Sequence, residues 1–350
     1  MTKLIKTKEL IYPFTFEKNF FFKFEKKINF LTNYHYKKSN IYRKLLEGMG
    51  YNPKKKYKIE DLPFISSNLF KEFEIKSIKN KNIYKILISS GTSGNKLSKI
   101  FLNRENAQTQ RIALTKIFHH YIGKERYPML IIGQKFNNNN LQFDAKTAAI
   151  RGFSLFGKNH TFLLDDNGKL NIEEIRNFMK KFEDKKILIF GFTSDAYEFF
   201  FTFYKELLSK ISFHNAILLH GGGWKKLDDK KITNSIFKKK FLEVYKIKKV
   251  INYYGMIEQV GSIFFECSTC EVFQCSNFSN ILIRDKNFNI LEKGKGYAQL
   301  ISLLPTSYPG HNLLTEDIAK LSKCRCGFKG KSFKIIGRIK NSDIRGCSNV

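Results

Sequence analysis

The sequence predicts an α/β protein, a doubly wound parallel sheet with a small β-rich subdomain. Three observations carry that prediction. From Pro128 to Tyr254, short apolar runs alternate with helical patterns, which is the arrangement of strand–helix–strand units. Polar loops containing glycine follow Ile88, Phe190, Leu219 and Tyr254, where such sheets hold their ligands. Beyond Glu266 helices give way to short strands divided by turn residues.

At 350 residues the chain can bury a sizeable core, and 42% hydrophobic with 15% aromatic content excludes wholesale disorder. No run approaches the roughly 18 apolar residues of a spanning helix. Met1 to Lys27 mixes lysines with scattered phenylalanines and does not read as a signal peptide; a cytoplasmic location is expected. The net charge of +31 invites a non-catalytic role in binding nucleic acid or acidic lipid. Lysines run from end to end, however, and arginine is scarce beside them. That pattern fits genome composition better, and no specific nucleic-acid partner is expected.

Residues 1–82 read as a mainly helical lead-in. Ile86-Leu87-Ile88 then stops at Ser89-Ser90-Gly91-Thr92-Ser93-Gly94-Asn95-Lys96, and Asn103 opens a helix. Glycines let consecutive N–H groups turn toward a ligand, while hydroxyls and lysine add donors and charge, a composition suited to polyphosphate. The loop does not meet the Walker pattern. Leu114, Ile117, Phe118 and Tyr121 make an inward helical stripe, and Pro128–Gly133 reads as a buried strand. Asn171 to Glu174 fits a capping box, with Ile175, Phe178, Met179 and Phe182 as the buried face. Strand Ile187–Phe190, helix Asp195–Lys210, strand Ala216–Leu219 and strand Val250–Tyr254 complete the core, 83–266. Ile281–Arg284, Ala298–Leu303 and Ser332–Ile336 are the strands of the subdomain, 267–338, before a tail, 339–350.

Three further stretches carry chemistry. Tyr254-Gly255-Met256-Ile257-Glu258 sets an aromatic ring, a glycine and a carboxylate at one strand end; Glu258 is either a Mg²⁺ ligand or a salt-bridged surface residue. Asp317, in Thr315-Glu316-Asp317, can accept both hydroxyls of a ribose, and Arg338 can bind ribose or phosphate oxygens. Cys267, Cys270, Cys275, Cys324 and Cys326 can together hold a structural Zn²⁺ or remain buried thiols.

Taken in order, the loop 89–94, Tyr254–Glu258, Thr315–Asp317 and Gly337-Arg338 resemble the adenylate-forming superfamily. His220-Gly221-Gly222-Gly223-Trp224-Lys225, Gly261–Cys267, Leu304–His311 and Ile344–Ser348 resemble its acyl-protein synthetase (LuxE) family, over about residues 60 to 350. The resemblance implies the N-terminal domain type of that superfamily, with its mobile C-terminal domain expected to be absent. It implies ATP-dependent conversion of a carboxylic acid, of fatty type, to acyl-AMP, and acyl transfer to a thiol. Ser90 to Gly94, with Ser89 and Lys96 beside them, would hold the ATP phosphates. Gly221, Gly222 and Gly223 would lie against adenine, and Tyr254, next to Gly255, would stack on it. Glu258 would bind Mg²⁺, Asp317 the ribose and Arg338 ribose or phosphate. Cys347 matches the cysteine that accepts the acyl chain for delivery to a partner such as an acyl reductase. Coenzyme A or an acyl carrier, in a surface-glycan or secondary-metabolite pathway, is the alternative acceptor. The chain departs from the superfamily at Ile257, where a threonine is usual, and in the displaced lysine at Lys96. The superfamily's adenylation lysine belongs to the C-terminal domain expected to be absent, and the candidate to balance the reacting phosphate in its place is Lys225, on position alone.

Overall fold

The computed structural model describes residues 5, 7–89, 97–135, 145–224 and 232–339. Helices α1 (Thr7–Ile11), α2 (Phe20–Lys38) and α3 (Asn40–Gly48) precede strand β1 (Ile65–Ser66) and the single turn α4 (Leu69–Glu72). Strands β2 (Lys85–Ile88) and β3 (Lys99–Leu102) lead into α5 (Arg104–Tyr121). Next come β4 (Tyr127–Gln134), α6 (Ala145–Ser154), β5 (Gly157–Leu164), α7 (Ile172–Lys181), β6 (Ile187–Phe192) and α8 (Thr193–Glu198). They are followed by α9 (Lys205–Leu208), β7 (Ala216–Gly221), α10 (Asn234–Tyr245) and β8 (Lys249–Tyr254). The remainder is strand: β9 (Phe264–Phe265), β10 (Phe273–Gln274), β11 (Ser279–Arg284), β12 (Gly296–Ser302), β13 (Asn312–Leu321) and β14 (Ser332–Arg338). No described helix is long and apolar enough to cross a membrane.

The chain forms two units, Ile122–Gly255 and a discontinuous one made of Met1–Tyr121 with Met256–Val350. In the first, strands run in the order β5-β4-β6-β7-β8 with every neighbouring pair parallel. The path starts at β4, steps out to β5 and returns across to β6, so its direction reverses between β4 and β6, as in a doubly wound sheet. Leu130, Ile132, Ile189 and Leu218 belong to a core that also holds Phe178, Phe200 and Phe241. Strands covered on both faces have no polar alternation, which is why β4, β6 and β7 stand out as apolar runs. Edge strand β5 exposes Lys158, Asn159 and His160, so hydropathy gives no sign of it. The capping box of α7 forms as expected: Asn171 accepts from the Glu174 amide at 3.2 Å, and Ile175, Phe178, Met179 and Phe182 are buried. The helix expected over 195–210 is instead interrupted by a π-helical turn, Phe199–Phe203. That wider turn lets the adjacent Phe200 and Phe201 both reach Phe241, at 5.3 and 4.8 Å between ring centres.

In the second unit an antiparallel sheet runs β10-β14-β13-β12-β11, and β1 adds to β13 in parallel. Strands β2 and β3 pair antiparallel, Ile88 opposite Lys99. The glycine loop therefore closes a hairpin and does not follow a strand of the parallel sheet, which is a correction to the sequence reading. A parallel return needs a crossover of a dozen or more residues, and the Ser89-to-Ser98 connection is shorter than that. Asn103 caps α5 by accepting from the Asn106 amide at 2.8 Å.

Candidate active site

Glu258 sits in a 3₁₀ turn, Ile257–Gln259, and is only 8% exposed. The turn is locked from below. Gln259 Nε2 donates to the carbonyls of Leu300 (3.0 Å) and Gly310 (2.9 Å). A Cβ on Gly310 would lie 2.4 Å from the Glu258 carbonyl oxygen and 2.3 Å from the Tyr308 ring. Gln110 of α5 donates to the Tyr308 hydroxyl at 3.3 Å. Asn106 of the same helix donates to the Leu304 carbonyl at 2.7 Å and accepts from the Ser307 hydroxyl at 2.8 Å. The Leu304–His311 motif is thus a buried floor that fixes the Glu258 backbone. Gly310→Ala should push that floor away. We expect a loss of about 1–3 kcal/mol in urea unfolding.

Burial pushes the Glu258 carboxyl above its usual range, opposed by the Ser98 hydroxyl, its own backbone, Lys71 and Arg338. Ser98 is fully buried at the start of β3 and is tied to the other stem of the glycine loop. The Ser89 amide donates to the Ser98 carbonyl at 3.0 Å, and the Ser98 amide donates to the Ser89 hydroxyl at 2.8 Å. Ser98, bonded to Ser89, therefore lies beside a buried carboxylate. Such a carboxylate favours either a proton or a cation, and the neighbouring donors are hydroxyl oxygens, a hard set that suits Mg²⁺ against phosphate.

Asp317 and Arg338 face one another in the β13–β14 register. Arg338 Nη2 pairs with Glu316 Oε2 at 2.5 Å, and Asn68 Nδ2 donates to Glu316 Oε1 at 2.7 Å. Burial raises the Glu316 carboxyl, but Asn68, Arg338 and Lys71 outweigh it and hold the group below its usual range. The Arg338 side chain remains 63% exposed, so its orientation is set by Glu316 and part of its surface faces solvent.

In the unit 122–255, Gly221 and Gly222 end β7. A Cβ on Gly221 would meet the Tyr253 ring at 2.4 Å, and Gly222 has φ +77°. Packing and turn geometry thus each demand a glycine here, while Gly222 and Gly223 are exposed. Thr193, at the end of β6, ties this loop down. Its hydroxyl lies 3.1 Å from the carbonyls of both Gly221 and Gly222 and 3.0 Å from His220 Nδ1. Tyr253 packs inward on Phe153 at 4.8 Å. Tyr254, half-buried, follows it at the end of β8, and strand alternation turns it to the opposite face. Gly255 is exposed.

Four of the five cysteines cluster: the sulfurs of Cys267, Cys270, Cys324 and Cys326 all lie within 4.8 Å of one another. Cys275 stands apart from them, which corrects the five-residue set. It is fully enclosed, and burial pushes its thiol up to about 12. Ser90, Gly91, Thr92, Ser93, Gly94, Lys96, Lys225 and Cys347 lie outside the described residues. Sequence reasoning did not single out Ser98, Asn68, Glu316 or the support from Gly310. Ser98 and Asn68 sit in ordinary polar surroundings, and only their long-range partners distinguish them.

The fold is that of adenylate-forming ligases. The structure matches 2-hydroxyisobutyryl-CoA ligase in the postadenylation state with R3-HIB-AMP at a TM-score of 0.72 and 13% identity, covering 97% of this chain and 74% of that one. An open conformation of the same ligase with 2-HIB-AMP and CoA matches at 0.69 and 16% identity, covering 91% and 76%. No curated protein sequence matches the chain. Its sequence matches the family "Acyl-protein synthetase, LuxE" over residues 13–350. The protein belongs to that family and is a ligase.

Proposed function

We propose that the protein condenses a fatty acid with ATP and passes the acyl group to a thiol, first its own Cys347. A carboxylate oxygen attacks the α-phosphorus and pyrophosphate leaves with the bonding pair. The Cys347 thiolate then attacks the acyl carbon and AMP departs. The observation that carries this reading is the buried carboxylate of Glu258 beside Ser98, which bonds Ser89 across the two stems of a loop whose sequence is rich in phosphate donors. Ser90 to Gly94 and Lys96 would surround the phosphates, with Lys225 supplying the balancing cation. When bound, Mg²⁺ at Glu258 would draw charge from the phosphate oxygens. Asp317 and Arg338 would hold the ribose, and Glu316 fixes the direction of the arginine. Tyr254 and the Gly221–Gly223 loop would receive adenine. A terminal cysteine suits the second step because a thiolate is the strongest acyl acceptor among side chains. From there the thioester can be presented to a reductase. The five described cysteines form no disulfide with one another.

The test is acylation with labelled fatty acid, ATP and Mg²⁺. The wild-type chain should retain hydroxylamine-labile label. Cys347→Ser should retain none, while acid-dependent exchange of pyrophosphate into ATP persists. Equal yields of acyl-CoA from both proteins, with no label on either, would replace self-acylation by transfer to coenzyme A.

A further inference from the structure

The described cysteines hold a second site, remote in chemistry from acyl transfer. We propose that Cys267, Cys270, Cys324 and Cys326 bind one Zn²⁺ in a closed tetrathiolate site that pins the β9–β10 turn to the β13–β14 connection.

Each half of the site is a tight turn offering two sulfurs. In the first, the Cys267 amide donates to the Val272 carbonyl at 2.8 Å and the Glu271 amide to the Cys267 carbonyl at 2.9 Å. Glu271 takes a left-handed φ of 52° to close the turn. In the second, Cys324-Arg325-Cys326 is followed by Gly327 at φ +80°. A left-handed φ is uncommon for a residue with a Cβ such as Glu271, while glycine adopts it readily. Together the two turns bring two distant pairs of sulfurs face to face.

A tetrahedral site with Zn–S of about 2.3 Å has sulfur–sulfur edges of about 3.8 Å. Cys267 and Cys326 are 3.6 Å apart, close to that edge. Cys324 and Cys326 are 2.8 Å apart, and the metal would spread them by about 1 Å, within the reach of a χ1 adjustment. The surroundings are those of charged sulfur. The Arg325 amide donates to Cys270 Sγ at 3.1 Å. Gln274 Nε2 points at Cys324 Sγ (3.3 Å) and Cys326 Sγ (3.7 Å). The Gln274 amide is itself aimed by the Tyr121 hydroxyl, which donates to its Oε1. Outer N–H donors of this kind orient and stabilise metal-bound thiolates. Four soft sulfur ligands with no oxygen among them select zinc over magnesium or calcium, and a full set leaves no position for substrate. The role is therefore mechanical. Beside the cluster, β10 pairs with the start of β14, Gln274 opposite Ser332, and β14 ends at Arg338. Val272 and Phe328 pack around the cysteines, and a metal would crosslink the two turns across them.

Elemental analysis of the full-length protein, purified without a metal-binding tag, should find one zinc per chain. Cys275→Ser should keep it, and Cys267→Ser/Cys270→Ser should lose it. Should the double variant fail to fold, cobalt reconstitution of the wild-type chain decides the matter: a tetrahedral ligand-field spectrum with thiolate charge transfer supports the site. Wild-type protein free of zinc and giving no such spectrum would overturn the proposal. So would a Cys324–Cys326 disulfide found by mass spectrometry under reducing purification, or zinc retained at full occupancy in the double variant.

Discussion

Glu258→Gln is expected to cut acid-dependent pyrophosphate exchange by about 10²–10³-fold while making the protein more stable at neutral pH. Both effects have one origin. Burial holds the folded-state carboxyl above its usual range, and Ser98, Lys71 and Arg338 offset this only in part. The folded chain therefore binds this proton more tightly than the unfolded chain. The stabilisation that linkage provides is present below the unfolded pKa and is lost as pH rises through the raised, folded value. At pH 7 the buried charge costs stability, and glutamine keeps the shape without the charge. The melting temperature should rise by about 1–2 °C for each kcal/mol recovered, and the gap to wild type should narrow as pH falls. Mg²⁺ with ATP should raise the melting temperature of the wild type and leave the variant nearly unmoved, because a ligand stabilises only the protein that binds it. A variant less stable than wild type at pH 7, or one with unimpaired exchange, would remove Glu258 from the role proposed for it.

Glu258 also shows how far a sequence can be read. Its position after an aromatic-glycine pair marked it, but its burial could not be seen, because that depends on Gly310, Tyr308 and Gln110 closing beneath it from far along the chain. The parallel strands were legible for the opposite reason. Strands covered on both faces carry their burial in their own composition, and β4, β6 and β7 are unbroken apolar runs. The edge strand β5 has no such run, and the π-helical turn at Phe199–Phe203 looks like any aromatic helix until Phe241 is placed beside it. The discontinuous unit is hidden for a topological reason: segments 1–121 and 256–350 join through pairings such as Ile65 with Leu313, which leave no trace in local periodicity. Cysteine spacing suggested a cluster, whereas the exclusion of Cys275 shows only in where its sulfur sits relative to the other four.

Acid should weaken this protein well above the pH at which ordinary carboxylates protonate. His35 and His311 are fully buried and stacked at 4.9 Å with 21° between their planes. His35 is held by the Ser77 hydroxyl at 2.7 Å and the Pro305 carbonyl at 3.1 Å, and His311 lies 3.0 Å from the Thr32 hydroxyl. Burial lowers His35 to about 3 despite the Pro305 carbonyl, and burial with the nearby His35 holds His311 well below its usual range. His220, in the other unit, is lowered to about 3 by burial and by Lys238. All three are neutral bases in the folded chain and titrate near 6.5 when unfolded. Their contribution is complete above that value and is lost as pH falls from it toward the folded values. Each removes up to about 1.4 kcal/mol per pH unit, so the three together remove about 5 kcal/mol between pH 7 and pH 5. That is comparable with the whole stability of many domains. Urea unfolding at pH 7, 6 and 5 should show this fall, and His220→Gln should be less steep than wild type; equal stability at pH 7 and 5 would refute it. The stacked pair matters for chemistry too. His35 holds Pro305 and His311 ends the loop that carries Gly310, so their protonation loosens the floor under Glu258. The acid limb of the rate profile should therefore coincide with the loss of structure, and it should move with His35 or His311 substitutions even where Glu258 is untouched.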